Sequence, residues 1–371
     1  MRKCKLSECV KEINDRTIEN NQYEVLTSSK SGIFSQEEYF DKQVASKDNT
    51  GYKIIKNGQF TYRSMSDSGT FTINRLEDKE IGIVSPAYPV FEAINIDAEF
   101  LKYYFKSELF NKAIINLSQG STRTALKFKD LIDIEIYLPE IEEQKRIVKI
   151  LKNNDQIIEK YDELIKEKEQ FIKSQFVEMF ERYKNEKKYK LKELSKFVTV
   201  GIANSATQDY TTDGVVMLRN QNIKENYLDD NDLIYINEDF SEKYKNKKLI
   251  ENDILVTRTG YPGIACIVPK KYENCQTFTT LIIRLKDNSD INANYVCHYI
   301  NSIYGKKYVK DNQVGVAQQN FGATALGEMP IFIPSLYEQN VFIQIVQLVD
   351  KQKFHSVLKN IIKVKESEVY A

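Results

Sequence analysis

Two arginines 195 residues apart, Arg63 and Arg258, each sit in a turn crowded with hydroxyl groups. Tyr62, Ser64, Ser66 and Ser68 surround the first, and Thr257, Thr259 and Tyr261 the second. A guanidinium can donate two hydrogen bonds to acceptors such as guanine O6 and N7, and hydroxyls can donate to phosphate oxygens, so these residue types suit a nucleic-acid edge and its backbone. One arginine in a polar turn is ordinarily a solvated ion-pair partner; recurrence at a fixed offset raises these two above that reading. A second polar loop also recurs, as residues 119–124 (QGSTRT, with Ser121, Thr122 and Arg123) and residues 315–320 (GVAQQN, with Gln318 and Gln319). Side-chain amides can pair with adenine N6 and N7. A third cluster, Arg219, Asn220 and Asn222 in the run RNQN, has no counterpart in the first half of the chain.

Catalytic chemistry is hard to place. The chain has no GxGxxG or FxGxG loop, no NPPY or DPPY tetrad, no Walker A loop and no GxSxG elbow, and it shows no nuclease-like acidic pair with a lysine. Its histidines, His298 and His355, fall in predicted helices and read as packed or surface side chains. Five cysteines without a CxxC pair argue for reduced thiols rather than disulfides or zinc, and no metal ligand set is expected. The 53 basic and 53 acidic residues cancel. A lone DNA-binding domain is usually basic, so a nucleic-acid partner requires local sorting of charge or a positive field from another subunit. The basic start of the chain lacks a following apolar region, and no apolar run reaches transmembrane length, so no membrane is expected and the cytoplasm is the default compartment. The chain reads as a binder.

The elements that must carry these turns are duplicated. The run FLKYYFKS at 100–107 returns as YVCHYINS at 295–302, both helical in pattern, and IEIYLP at 134–139 returns as MPIFIP at 329–334, both short strands closed by proline. Glu143-Gln144 returns as Glu338-Gln339, Asn57 as Asn252 and Gly120 as Gly315, every pair 195 residues apart. A separation of 188 between the similar KLSE (5–8) and ELSK (193–196) implies a small insertion early in the second copy. Residues 52–63 and 248–260 both read as strand, turn, strand, and 81–91 as strand broken by prolines. Residues 140–200 contain no Gly or Pro. Their first forty or so carry an apolar seam at Ile147, Leu151, Ile158, Tyr161, Ile165, Ile172 and Met179, with Ile150, Ile157, Leu164 and Phe171 alongside, which predicts a coiled-coil-like helix roughly 60 Å long. A second stripe, Phe342, Val346, Val349, Phe354, Leu358, Ile361 and Val364, predicts another helix, with a phase slip near Gln352. Lys184, Lys187, Lys188, Lys190 and Lys192 read as a hinge that is solvated, phosphate-facing or merely solubilising.

The expected fold class is α+β: two mixed α/β globular domains (1–139 and 185–334) and two long, antiparallel, coiled-coil-like helices (140–184 and 335–371), related by an internal pseudo-twofold repeat. Ile147, Leu151, Ile158, Tyr161, Ile165, Ile172, Phe342, Val346, Val349 and Leu358 are the expected helix-packing or partner-interface residues.

The chain resembles, over essentially its whole length, the DNA-specificity (S) subunit of type I restriction-modification systems. The likeness rests on Leu138-Pro139 and Ile333-Pro334 running into Glu143-Gln144 and Glu338-Gln339, on NDILVTRTG at 252–260, and on IGIVSPAY at 81–88. It implies a non-catalytic subunit with two target-recognition domains, each reading half of a split asymmetric site in double-stranded DNA. It also implies spacer helices that dock two methyltransferase subunits, and restriction subunits that join for cleavage. S-adenosylmethionine, ATP and Mg would then sit on partners, with no cofactor in this chain. A short second helix and the lack of an arginine in 315–320 to match Arg123 depart from a strict duplication. Two alternatives remain: a subunit that contributes catalytic residues to a fused or two-subunit methyltransferase-nuclease, and an adaptor with two protein-binding heads.

Overall fold

The computed structural model describes residues 2–40, 48–66, 70–117, 124–203, 207–287, 290–315 and 319–349. The chain separates into two units, and the division between Asp162 and Glu163 falls inside one continuous helix.

In the first unit the strand Arg2–Lys5 pairs antiparallel with Glu135–Leu138, and the alternation of strand side chains buries Cys4, Ile136 and Leu138 while Tyr137 faces outward. Beside it stands an antiparallel four-stranded sheet in the order Val10–Glu12, Val90–Ala93, Phe60–Thr61, Asn74–Arg75. Phe60, Phe91, Phe105 and Phe110 pack against one another under this sheet and are fully or nearly fully buried. Each such ring withdraws apolar surface worth about 1.5–3 kcal/mol. Helix α1 (Ala98–Phe105) starts where the Asp97 carboxylate accepts the Phe100 N–H, and α2 (Glu108–Leu117) follows directly.

The second unit repeats this plan. Lys188–Lys190 pairs with Pro330–Phe332, and the antiparallel sheet runs Ser195–Val200, Leu281–Leu285, Ile254–Val256, Ala265–Ile267. With α3 assigned to the long helix Ile141–Phe180, the repeat continues as α4 (Ala293–Asn301), α5 (Ile303–Asn312) and α6 (Leu336–Leu348). Helices α4, α5 and α6 begin 195 residues after α1, α2 and α3 respectively. The second unit also holds another four-stranded sheet, Tyr210–Thr211, Ile234–Ile236, Val215–Arg219, Gln276–Phe278, whose last pair is parallel. Residues 248–250 depart from the strand expected there. The buried Asp253 carboxylate accepts the Ile250 N–H and the Arg284 guanidinium, and Asn252 takes φ +68°, so this stretch is a turn and only Ile254–Val256 is strand.

One side chain ties each of α3 and α6 to its unit. The Gln144 side chain, 1% exposed, accepts the Asp97 N–H at 2.8 Å and donates to the Pro139 carbonyl at 2.8 Å. Gln339, 0% exposed, accepts the Asn292 N–H at 2.8 Å and donates to the carbonyls of Pro334 at 2.9 Å and Asp290 at 3.0 Å. An amide has a donor and an acceptor on one short arm, which a buried carbonyl and a buried N–H both need; glutamate or leucine meets at most one of those needs.

Along α3, Val148 is buried and Ile147 half-buried against the core of the first unit, and Leu151 is buried as well. Ile172, Phe176 and Phe180 are buried in the second unit, where Phe176 and Phe180 meet Phe342 of α6 at 5.3 and 5.6 Å between ring centroids. Tyr183, just beyond α3, donates to the Glu338 carboxylate at 2.6 Å, so within this unit α6 runs antiparallel to the end of α3. Val346 and Val349 pack on the same core. Ile158, Tyr161, Leu164 and Ile165 are half-buried. Ile150, Ile157 and Phe171, expected beside the seam, are 36%, 40% and 47% exposed because they lie a step round the helix from its buried row. Leu358 and the rest of the second stripe beyond Val349 lie outside the described residues. Among the described residues no helix is long and apolar enough to cross a membrane.

Two predictions test this framework. Gln144→Leu and Gln339→Leu should each lower stability by about 1–3 kcal/mol because buried backbone partners lose their hydrogen bonds. The larger loss is expected for Gln339, which serves three groups; urea midpoints equal to the parent's would refute the role. The second concerns Glu225, which lies between Lys173 of α3 and Lys306 of α5 at 2.9 Å from each. Burial opposes its charge, but the bonds and charges of the two lysines outweigh that and hold its carboxyl below the ordinary 4.5. Its contribution is therefore complete above pH 4.5 and lost as pH falls through the depressed folded value. Glu225→Gln should flatten the acid limb of a stability-against-pH curve, and an unchanged limb would rule the triad out as its cause.

Candidate nucleic-acid interface

In the second unit the strand Ile254–Val256 runs into a tight hairpin whose base is closed by Thr257. The Thr257 hydroxyl donates to the Tyr261 carbonyl at 2.7 Å and accepts the Ile264 N–H at 2.9 Å. Gly260 at φ +78° and Gly263 at φ +90° let the chain reverse, and a Cβ on Gly263 would meet Val309 at 2.7 Å. The hairpin projects Arg258, Thr259 and Tyr261, the last 84% exposed.

Three segments separated in sequence meet here. The Arg258 backbone N–H donates to Asn220 Oδ1 at 3.3 Å, and Asn220 Nδ2 donates to Thr259 Oγ1 at 3.0 Å. Arg258 Nε donates to Asn320 Oδ1 at 3.2 Å, while the Phe321 N–H donates to the Arg258 carbonyl at 2.9 Å. Gln319 is exposed beside Asn320, and Gln318 lies outside the described residues.

The first unit has the same junction with other loops. Tyr62 follows Phe60–Thr61, and Arg63 stands exposed next to it. Ser64 donates through its hydroxyl to the Ala87 carbonyl at 3.0 Å and accepts the Leu126 N–H through its own carbonyl at 3.0 Å. Met65–Ser66 pairs with Thr124–Ala125, the strand that leaves the second polar loop. Thus each arginine turn is hydrogen-bonded to the returning segment after that loop. Ser68, Ser121, Thr122 and Arg123 lie outside the described residues. Arg63 borders a cavity of about 1000 Å³ with Ser66, Thr70 and Thr72 on its side and Ser29, Lys30 and Ser31 from a hairpin opposite.

The structure corrects three expected contacts. Tyr62 is 0% exposed, its hydroxyl donates to the Leu126 carbonyl at 3.1 Å, and burial raises its pKa, so it is a core residue. Thr257, 3% exposed, serves its hairpin. Asn222, 1% exposed, accepts the Arg219 N–H at 3.0 Å and donates to the carbonyls of Asp229 and Asn231. Arg219 donates to the Asp232 carbonyl, and its buried Nε has no partner among the described residues. The lysines after α3 are largely paired: Lys184 with Glu181, and Lys190 and Lys192 with Glu328. His298 packs edge-on against Phe342, and all five cysteines are buried free thiols.

The structure adds the Lys30 hairpin beside Arg63 and the Asn320 contact on Arg258 to the residues expected from the sequence. The hydroxyl-rich run TSSKS at 27–31 was a visible signal, whereas nothing local to Asn320 announced that it would face Arg258.

The frame is duplicated, and each copy carries one arginine turn on loops that differ between the copies. The chain belongs to the type I restriction modification DNA specificity domain family, whose pattern it matches twice, at residues 12–170 and 183–365. The specificity subunit of the type I restriction enzyme MjaVIII from Methanocaldococcus jannaschii is 38% identical over 85 residues, 23% of this chain and 19% of that one. The MjaIX specificity subunit of the same organism is 33% identical over 108 residues, 28% of this chain and 25% of that one. The aligned stretches therefore span a fifth to a quarter of those curated relatives. The fold is similar to a chain solved in work on complex assembly and conformational transition of the type I R-M system, with TM-score 0.57, 14% identity and coverage of 99% and 96% of the two chains. It is also similar to the S subunit of the type I system from M. genitalium, with TM-score 0.51, 14% identity and coverage of 99% and 94%.

The site geometry separates stability from recognition at adjacent residues. Tyr62→Phe should cost about 0.5–1.5 kcal/mol by removing one buried hydrogen bond, whereas exposed Arg63→Ala should stay within about 0.5 kcal/mol of the parent. Thermal denaturation of the two full-length variants checks the order, and a reversed order would mean that Arg63, not Tyr62, supports the fold.

Proposed function

We propose that this chain is the non-catalytic DNA-recognition subunit of a type I restriction-modification complex. Each unit reads one half of a split, asymmetric site in double-stranded DNA. Helices α3 and α6 serve as spacer and as dock for two methyltransferase subunits, a restriction subunit joins for cleavage, and S-adenosylmethionine, ATP and Mg are held by those partners. The observation that carries the reading is the junction made twice: at equivalent places in both units an arginine turn is hydrogen-bonded to the segment returning from a second polar loop. Family membership supplies the DNA; the differing loops supply a reason for the two half-sites to differ. The balance of 53 basic and 53 acidic residues fits a subunit whose partners complete the embrace of a polyanion.

Expressing the full chain with its methyltransferase partner in a host free of other methylation, then mapping modified bases, should return a split motif. Modification with no motif, or at a single uninterrupted one, would overturn the reading. In the same assay Arg63→Ala should relax the bases of one half-site and leave the other unchanged.

The continuity of α3 across the unit boundary yields a further expectation. One extra helical turn inserted near Lys166 adds about 5.4 Å, against roughly 3.4 Å per base pair, so the gap in the motif should widen by about one or two base pairs with both half-sites retained. An active variant with the parental gap would show that α3 is not the spacer.

A further inference from the structure

The Arg258 guanidinium is held by a neighbouring amide. Nε donates to Asn320 Oδ1 at 3.2 Å. Asn320 is itself fixed, because its backbone exchanges both hydrogen bonds with Val314 at 2.9 Å and the next residue, Phe321, donates to the Arg258 carbonyl at 2.9 Å. Asn220 takes the Arg258 backbone N–H and anchors the Thr259 hydroxyl, so the turn is gripped from the opposite side. Arg219 forms a contrast, since its guanidinium donates to the Asp232 carbonyl inside its own loop.

Occupying Nε has a chemical consequence. The remaining donors, Nη1 and Nη2, lie side by side at the end of the fork and match two adjacent acceptors. On the major-groove edge of a base only guanine offers that pair, O6 and N7; adenine presents an acceptor beside a donor. We infer that Asn320 is a positioning residue that presents Arg258 end-on to a guanine in the half-site of the second unit, with Asn220 fixing the backbone of the same turn. This rests on the DNA-recognition reading proposed above and deepens it: it names a base, an edge and the residue that aims the reader. Asn220 and Asn320 act through Arg258 and touch no base themselves.

The test uses the full-length chain in complex with its methyltransferase partner, and duplexes enriched by that complex from a random-sequence pool. Each guanine of the enriched motif is replaced in turn by 7-deazaguanine, which keeps O6 and removes N7. For the parent chain, one guanine in one half-site should show roughly tenfold weaker binding on replacement, as one bond of a bidentate pair is lost. In Arg258→Ala and Asn320→Ala that sensitivity should vanish, and in Asn320→Asp, which retains an acceptor for Nε, it should persist. Sensitivities in the other half-site should survive in every variant, which also shows that the variants are folded. If no guanine is sensitive, or if every sensitivity survives in Arg258→Ala or in Asn320→Ala, the inference is wrong while DNA recognition stands. If Asn320→Asp loses the sensitivity as Asn320→Ala does, the positioning role fails. Enrichment of no sequence at all would instead sink the recognition reading, and this inference with it.

Discussion

The buried glutamine at the first turn of each long helix is the constraint on which the two-copy design depends. Each unit ends its sequence-distant strand pairing at a proline, which has no N–H to offer, and then starts a helix whose first N–H groups lack intrahelical partners. Gln144 and Gln339 join this corner to the rest of the unit: each donates to the proline carbonyl and accepts the backbone N–H of the N-cap residue of an earlier helix, Asp97 or Asn292. Strand end, helix start and the cap of α1 or α4 thereby become one rigid corner. Because both bonds are buried, breaking either strands a polar group, and the direction in which the long helix leaves its unit is fixed by hydrogen bonds rather than by apolar contact alone.

That corner was legible in the sequence as Glu143-Gln144 and Glu338-Gln339, and so was the constant 195-residue offset, since element lengths and polar fixtures survive where surface loops do not. The long helix was legible too, from its apolar spacing. The sites were read less well, and the misreadings share a cause. Tyr62, Thr257 and Asn222 stand beside candidate arginines, but turns need their own donors and acceptors satisfied, and the nearest hydroxyl or amide is the one used. Local composition does not say whether a polar side chain faces its own loop or outward. Asn320 shows the converse: it meets Arg258 across 62 residues, a contact that only the sheet order creates.

The two units also differ in how their arginines are prepared. The Arg258 side chain is held at Nε by Asn320 and its backbone N–H by Asn220, so part of its rotamer freedom is already spent. Arg63 borders an open cavity of about 1000 Å³ facing a lysine-bearing hairpin. A rigid fork favours one acceptor pattern and rejects others, because misplaced partners cannot be followed; a freer arginine in a roomy groove accepts more arrangements at a larger ordering cost.

Charge leads to the same view of the molecule. With equal numbers of acids and bases, and lysines such as Lys190 and Lys192 bonded to Glu328, this chain does not gather a long-range positive field from its hinge. Affinity for a polyanion depends on how many phosphates are neutralised, whereas choice among sequences depends on a few well-aimed donors. On the proposed reading, the arginine turns would serve the second task, and subunits bound beside this chain would supply the first.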